Sequence, residues 1–206
     1  MGVQSLNPAE ARRVCEAIEA AETGTSGEIF VAVARSSDDY GLVPVLWAAA
    51  AALLAVWPLH LFTSLSINAV LGLQAAIFIL VALAVSPVSV RTRLAPPWLV
   101  DEEVARAARD QFLSHGVHLT DERTGVLIFV SIAEHRVEIV ADDGIAARVG
   151  QNEWDDIAAD VVRHTRQGQL SSGLVEAVDH AGRLLRGHFP AGARNRNELP
   201  NTIIQL

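Results

Sequence analysis

Apolar residues recur every three or four positions in several stretches of the chain, which is the pattern of helices with one buried face. The first stretch follows residues 7–10 (NPAE) and places Val14 and Ile18 on the same side. An Asn before Pro, with Glu three residues after the Asn, is typical of a capped helix start. Similar stretches follow the acidic residues 101–103, Trp154 and a Ser171-Ser172 cap, so the pattern predicts four helices outside the middle of the chain.

Three shorter stretches predict strands. Residues 28–34 (EIFVAVA) are almost continuously apolar, which is typical of a strand buried on both faces. Residues 125–133 (GVLIFVSIA) and 136–141 (RVEIVA) are separated by only two residues, so we expect them to pair as an antiparallel hairpin. The order of these helices and strands predicts an α/β fold in which helices cover a small mixed sheet.

The middle of the chain has a different pattern, because residues 40–90 contain no Asp, Glu, Lys or Arg. Residues 43–62 and 69–88 are each long enough, as helices, to cross the apolar core of a bilayer. The polar link 63–68 (TSLSIN) is short. Two adjacent spans joined in this way predict a transmembrane helical hairpin, since each helix satisfies its own backbone hydrogen bonds.

This hairpin, residues 42–90, interrupts the soluble domain. Residues 1–41 are its first part, with the first helix and strand, and residues 91–190 are its remainder. The Pro- and Asn-rich residues 191–206 predict an irregular tail.

The arginines near the spans predict which side the soluble domain occupies. Arg35 precedes the first span, and Arg91 and Arg93 follow the second, whereas the link between the spans has no basic residue. Basic residues next to spans stay on the cytoplasmic side. We therefore expect a multi-pass protein of the plasma (inner) membrane with a cytoplasmic soluble domain.

Composition removes several classes of function. The net charge is −8, and all 16 basic residues are arginines with no basic stripe, which argues against nucleic acid as a partner. Cys15 is the only cysteine, so an internal disulfide is excluded. The sequence contains no P-loop, no G-x-G-x-x-G and no G-x-S-x-G motif, which leaves it without the usual signatures of nucleotide binding or of a serine hydrolase.

One acidic cluster is a candidate metal site. Asp142 and Asp143 follow the third strand directly, and Asp121-Glu122 precede the second. Because these strands are antiparallel, the end of one lies beside the start of the other, and the carboxylates meet at one edge of the sheet. Asp121, Asp142 and Asp143 there suit Ca²⁺ or Mg²⁺. The alternative is that Asp-Asp-Gly is a turn and that the residues around Asp121 form a solvated loop.

Several motifs, taken in order, resemble a known family. They are Gly27-Glu28-Ile29, Thr124-Gly125-Val126-Leu127, the hairpin strand at 136–140, and Asp142-Asp143-Gly144-Ile145. The Trp154 helix, the start of the last helix at 172–174 and the pieces HFP and NELP near the end continue the match. Together they resemble the TPM domain, in its bacterial membrane-anchored form, over about residues 7–35 and 98–190. The family is named for a thylakoid lumen phosphatase, a photosystem II repair protein and an acetylcholine-receptor accessory protein.

The resemblance implies a three-layer fold and two hypotheses about function. In the first, the protein is an accessory or interaction module for a membrane protein complex. In the second, it is a weak divalent-metal-dependent phosphatase that uses the Asp cluster, an activity implied by the family resemblance alone.

Overall fold

The fold is described by a computed structural model, which covers residues 6–192 and 197–206. Its elements are listed here in chain order: α1 (Pro8–Glu22), β1 (Glu28–Ala34), α2 (Leu42–Phe62), α3 (Ile67–Val85), α4 (Val88–Leu94), α5 (Pro97–Ser114), a 3-10 turn (Val117–Leu119), β2 (Gly125–Ser131), β3 (Arg136–Ala141), α6 (Asp143–Ala146), α7 (Gln151–Arg166), α8 (Leu170–His188) and β4 (Ile203–Gln205).

The four strands form one mixed sheet in the order β3-β2-β1-β4. β1 runs parallel to β2, with Glu28 opposite Gly125, and it also runs parallel to β4 on its other side. β2 and β3 are antiparallel, as the short connection between them predicts. Every residue of β1 and β2 is buried, which confirms that the sheet is covered on both faces.

Alternate residues of the central strands face two different helical layers. Ile29 and Val31 of β1 belong to the main core cluster, together with apolar residues of α1, α7 and α8. Phe30 stacks on the ring of His115, just after α5, with ring centroids 5.1 Å apart. The sheet therefore lies between α1, α7 and α8 on one face and α5 on the other, which confirms the three-layer α/β fold.

The chain divides into two compact units. The first is discontinuous and consists of Met1–Ser37 and Asp101–Leu206, and the second is Asp38–Val100. In the second unit, α2 packs along α3. The Trp47 indole N–H donates to the carbonyl of Leu94 at 3.2 Å, and the Arg91 guanidinium donates to the carbonyl of Asp39 at 2.8 Å, so α4 is held within this unit.

Two helices of the second unit are long and apolar enough to cross a membrane. They are Leu42–Phe62 and Ile67–Val85, with mean hydropathies of 2.1 and 2.3. The sequence predicts the second span at 69–88, but α3 starts two residues earlier and ends at Val85, and Pro87 caps a separate helix, α4.

Local details of the other elements agree with the sequence in part. Asn7 and Glu10 form the predicted capping box of α1, and Gly116 adopts the left-handed backbone (φ +68°) that ends the α5 region. The predicted helix start at residue 101 is wrong, because α5 already begins at Pro97. The predicted serine cap of the last helix is also wrong, since α8 begins at Leu170 and its N-cap residue, Gln169, makes no side-chain cap hydrogen bond.

The tail differs from its prediction. Instead of being irregular throughout, it ends in β4, which pairs Ile203 with Val31 and Gln205 with Val33. A strand of three residues is too short to produce a periodic signal, and its existence depends on the edge of β1.

Candidate functional site

The strand register brings the starts of β1 and β2 and the end of β3 to the same end of the sheet, which is the edge formed by these strand termini. Glu28 lies opposite Gly125, and Val126 lies opposite Ala141, so the residues before β2 and after β3 are neighbours, as the sequence predicts. The approach to β4 reaches the same edge. We call this region the acidic edge, defined by Glu22, Glu28, Asp121, Glu122, Asp142, Asp143 and Glu198.

Arg123 joins two of the predicted site residues. Its Nε lies 3.0 Å from Asp142 Oδ1, and its Nη2 lies 3.2 Å from Asp143 Oδ2. The Asp142 side chain is only 3% exposed, whereas that of Asp143 is 92% exposed. Asp142 Oδ1 also accepts the backbone N–H of Asp143 at 2.7 Å, which caps the short helix α6. Arg123 thus supplies a positive charge to a buried aspartate.

The backbone around Arg123 is tightly constrained. Arg123 has a φ of +56°, in the left-handed region that residues other than glycine rarely adopt. A Cβ added to Gly144 would lie 2.5 Å from the carbonyl oxygen of Arg123 and 2.7 Å from that of Glu122. The start of α6 and the 122–123 turn are therefore in direct contact, and this contact fixes the position of Arg123 beside the two aspartates.

Asp121 is placed differently from the aspartate pair. It is exposed, and its backbone N–H donates to Glu198 Oε2 at 2.8 Å. The neighbouring Glu122 accepts a hydrogen bond from the hydroxyl of Ser26 at 3.2 Å. Asp121 is therefore hydrogen-bonded to Glu198 near the end of the chain, while Asp142 and Asp143 pair with Arg123.

Asp142 and Asp143 pair with Arg123, whereas Asp121 is joined to Glu198 through its backbone N–H. Among residues 6–192 and 197–206, no group of three His, Cys, Asp or Glu side chains is arranged to hold a metal ion. The guanidinium of Arg123 lies beside Asp142 and Asp143, where the sequence predicts a bound Ca²⁺ or Mg²⁺ ion. Asp142 Oδ2, however, is buried and has no hydrogen-bond partner within the described part of the chain, so one acceptor at this edge is unused.

Two buried glutamates complete the edge. Glu22 ends α1, is 8% exposed, and accepts the backbone N–H of Ile29 at 2.7 Å. Burial, reinforced by repulsion from Glu28, raises the pKa of Glu22 to about 8, so Glu22 is protonated at neutral pH. Glu28 is 4% exposed and accepts the backbone N–H groups of Glu198 and Leu199 at 3.3 Å each, and burial raises its pKa as well.

Sequence reasoning missed Arg123, Glu22 and Glu28. The available signal for Glu28 is a charged residue that opens an otherwise apolar strand. The signal for Arg123 is a lone basic residue between two acidic pairs that meet at one sheet edge.

The opposite edge of the sheet carries a different polar cluster. Glu134 is 8% exposed, and its Oε1 accepts the Ser36 hydroxyl at 2.8 Å and the Ser37 backbone N–H at 3.0 Å. The hydroxyl of Ser131, at the end of β2, donates to the other carboxylate oxygen. These bonds fix the residues that follow β1 as far as Ser37, where the first segment of the first unit ends.

Residues 92–184 match the family model of the TPM domain. This segment is therefore similar to the TPM domain. The matched segment includes the whole of α5, β2, β3, α6 and α7, and the Arg123–Asp142 pair lies within it. α1 and β1 precede the match and complete the sheet and its helical layer.

One solved structure shows the same fold over nearly the whole chain. The NMR structure of the BA42 protein from the psychrophilic bacterium Bizionia argentinensis is similar to this chain, with a TM-score of 0.62. The two sequences are 22% identical, and the match covers 98% of this chain and 97% of that chain. At this identity the similarity establishes the fold alone. No curated protein matches the chain.

Proposed function

We propose that the protein is a membrane-anchored TPM-domain protein, and that its soluble unit is an interaction module for a membrane protein complex. The observation that supports the membrane anchor is the exposed apolar surface of α2 and α3. In the apolar windows of these helices only 22% and 0% of residues are buried, so large apolar side chains such as Leu54, Trp57 and Leu80 are exposed. An apolar surface of this extent is stabilised by a lipid environment.

The position of the helices also favours an anchor. A core helix of a soluble protein buries most of its residues, and a cleavable signal sequence lies at the N-terminus of a chain. α2 begins only after α1 and β1 have formed part of the soluble unit. The helices are therefore an insertion in the TPM protein, which is consistent with a resident hairpin.

The proposed orientation places the soluble unit in the cytoplasm and the 63–66 link outside. Arg35, Arg91 and Arg93 flank the hairpin, and the link has no basic residue. In a Cys15→Ser background, we expect Ser64→Cys to react with a membrane-impermeant thiol reagent in intact cells. Ser114→Cys, an exposed position at the end of α5, is the matched control and is expected to react only after the cells are opened. Labelling of Ser114→Cys in intact cells would reverse the proposed orientation.

The interaction role is tested by capture of partners. Full-length protein, solubilised in mild detergent and carrying a photo-crosslinker at exposed positions of the soluble unit, is expected to crosslink reproducibly to one or a few membrane proteins. A matched sample crosslinked from exposed positions of α2 and α3 separates partners of the TPM domain from neighbours in the membrane. Crosslinks confined to the helices would contradict a role for the TPM domain in binding.

A second proposal is a divalent-metal-dependent phosphatase at the acidic edge. The buried Asp142, with its unused Oδ2, favours it. Asp142 pairs with Arg123 in this arrangement, so a cation such as Mg²⁺ or Ca²⁺ would have to replace the guanidinium beside this aspartate. Hydrolysis of a generic phosphomonoester by the full chain, with and without each cation, tests the proposal. Activity that is unchanged in Asp142→Asn/Asp143→Asn would remove the site from consideration.

A further inference from the structure

The edge of β1 is occupied by a segment that the chain itself supplies. We call residues 197–206 the tail segment. Its strand β4 pairs with Val31–Val33 in parallel, and beyond the strand Leu206 donates its N–H to the carbonyl of Val33 at 2.9 Å. The N–H of Arg35 donates to the carbonyl of Leu206 at 3.1 Å. These bonds recognise backbone groups, which any extended segment presents.

Glu28 holds the other end of the tail segment. Its two carboxylate oxygens accept the N–H groups of the consecutive residues Glu198 and Leu199, both at 3.3 Å. Glu28 and Leu199 are buried, so this contact is shielded from water. A carboxylate that accepts two successive backbone N–H groups fixes the position at which an extended chain begins to pair with β1. This contact does not depend on the identity of most side chains in the extended chain.

The tail segment is not an optimal occupant of this edge. β4 pairs through three residues, whereas β1 and β2 pair through seven, and Ile203, Ile204 and Gln205 all remain partly or fully exposed. Glu198 places a second carboxylate near that of Glu28, and its Oε2 accepts the backbone N–H of Asp121 at 2.8 Å. The repulsion between these two like charges weakens the contact of the tail segment with Glu28.

We propose that the β1 edge is a docking site for an extended, basic segment of a partner protein, and that the tail segment occupies this site in its absence. The preferred segment carries Lys or Arg at the position of Glu198, because the carboxylate of Glu28 lies beside this position. It carries aliphatic residues at the positions of Leu199 and Ile203. This inference deepens the proposed interaction role and rests on it, by giving the partner a surface and a chemistry.

The test uses the full chain in detergent micelles, with a protease recognition sequence inserted between residues 192 and 197. After cleavage, a fluorescein-labelled peptide with the sequence of residues 197–206 is added, and fluorescence anisotropy reports its binding. A second peptide carries Glu198→Lys, and a third has the native residues in scrambled order. We expect saturable binding of the first two peptides, with the Lys peptide about fivefold tighter or better at low salt. The difference in affinity between these two peptides is expected to decrease at 0.5 M salt, because this salt screens charges that are more than about 4 Å apart.

Glu28→Gln removes the charge that distinguishes the peptides, and we expect it to abolish the preference for Lys. Glu16→Gln, on the exposed side of α1, is the matched control and retains the preference. If Glu28→Gln does not fold, the salt dependence of the two peptides on the unsubstituted protein supplies the same information.

Three results would overturn the docking site. The first is that neither peptide binds better than the scrambled one, and the second is that the Lys peptide binds no tighter than the native one. The third is a concentration-dependent dimer of the uncleaved protein that exchanges tail segments, which would assign the edge to a second copy of the chain. Because this assay needs no bilayer, failure of the membrane anchor would leave its outcome unchanged, and the two proposals fail separately.

Discussion

Glu22 places a carboxyl group at the end of α1, where burial raises its pKa from 4.5 to about 8. In the unfolded chain the same group ionises near its ordinary pKa, so between pH 4.5 and 8 the folded state binds more protons than the unfolded state. The free energy of unfolding therefore falls as the pH rises through this window, and the penalty is complete above pH 8. A pKa difference of one is equivalent to about 1.4 kcal/mol.

We therefore expect Glu22→Gln to remain stable at pH 8–9, where the unsubstituted protein has lost stability. The two proteins converge as the pH approaches 5. Chemical denaturation from pH 5 to 9 measures the difference, and Glu16→Gln, an exposed residue of the same helix, is the control that keeps the original pH dependence. Parallel curves for Glu22→Gln and the unsubstituted protein would show that Glu22 ionises normally in the folded state.

Arg123 is expected to stabilise the fold through Asp142. Arg123→Gln leaves a 3%-exposed aspartate without its partner, which is itself 51% exposed, and we expect this loss to cost about 1–3 kcal/mol. Arg163→Gln, which breaks the exposed pair with Asp160, is the matched control and is expected to cost less than about 1 kcal/mol. Thermal melting measures both. Millimolar Ca²⁺ is expected to restore part of the loss only in Arg123→Gln, and equal losses in the two variants would contradict the role of Arg123.

At the scale of residues, the sequence predicts which acidic residues lie together at the site, but it does not predict the residues that they bind. Asp142 and Asp143 were placed correctly at the end of a strand, because strand ends follow from the alternation of apolar residues. The partner of these aspartates was missed, because Arg123 reaches them through a left-handed turn that no periodic pattern encodes. Burial of Glu22 and Glu28 was missed for a similar reason, since it depends on the tail segment and on packing between distant elements.

At the scale of elements, the contact between the 122–123 turn and α6 requires a glycine at position 144. A methyl group there would lie within 2.7 Å of two backbone carbonyl oxygens, which cannot move as a flexible side chain can. We expect Gly144→Ala to destabilise the protein by about 1–3 kcal/mol. Gly187→Ala in α8 meets no atom within 4 Å and is expected to be neutral or to stabilise by up to about 1 kcal/mol. Equal melting temperatures for the two variants would show that the turn and α6 are not in contact.

The elements that sequence predicts well are those with strong local signals. α1 has its capping box, and β1, β2 and β3 have uninterrupted or alternating apolar residues, so their bounds agree closely with the structure. The start of α5 was misplaced because Pro97 opens the helix before its acidic residues, and proline is favourable at a first helical position. β4 was missed because its pairing with β1 joins residues more than 160 positions apart.

At the scale of the whole molecule, the first compact unit is expected to fold without the apolar helices α2 and α3. Residues 1–37 and 101–206 form one compact unit although 63 residues separate them in the chain. Replacing residues 38–96 by a flexible linker of about ten residues keeps α5 intact and changes the closure entropy only slightly. We expect a soluble protein that unfolds cooperatively. Aggregation, or a broad transition without cooperativity, would show that the first unit depends on the helices for its folding.

The central claim is that α2 and α3 anchor the TPM domain in a membrane, and carbonate extraction of isolated membranes tests it most directly. Alkaline carbonate releases proteins that are attached to a membrane surface and leaves those whose helices lie in the bilayer. The full chain is expected to stay in the membrane pellet and to be released only by detergent, while the variant without residues 38–96 is found in the soluble fraction. Release of the full chain by carbonate alone would contradict the anchor.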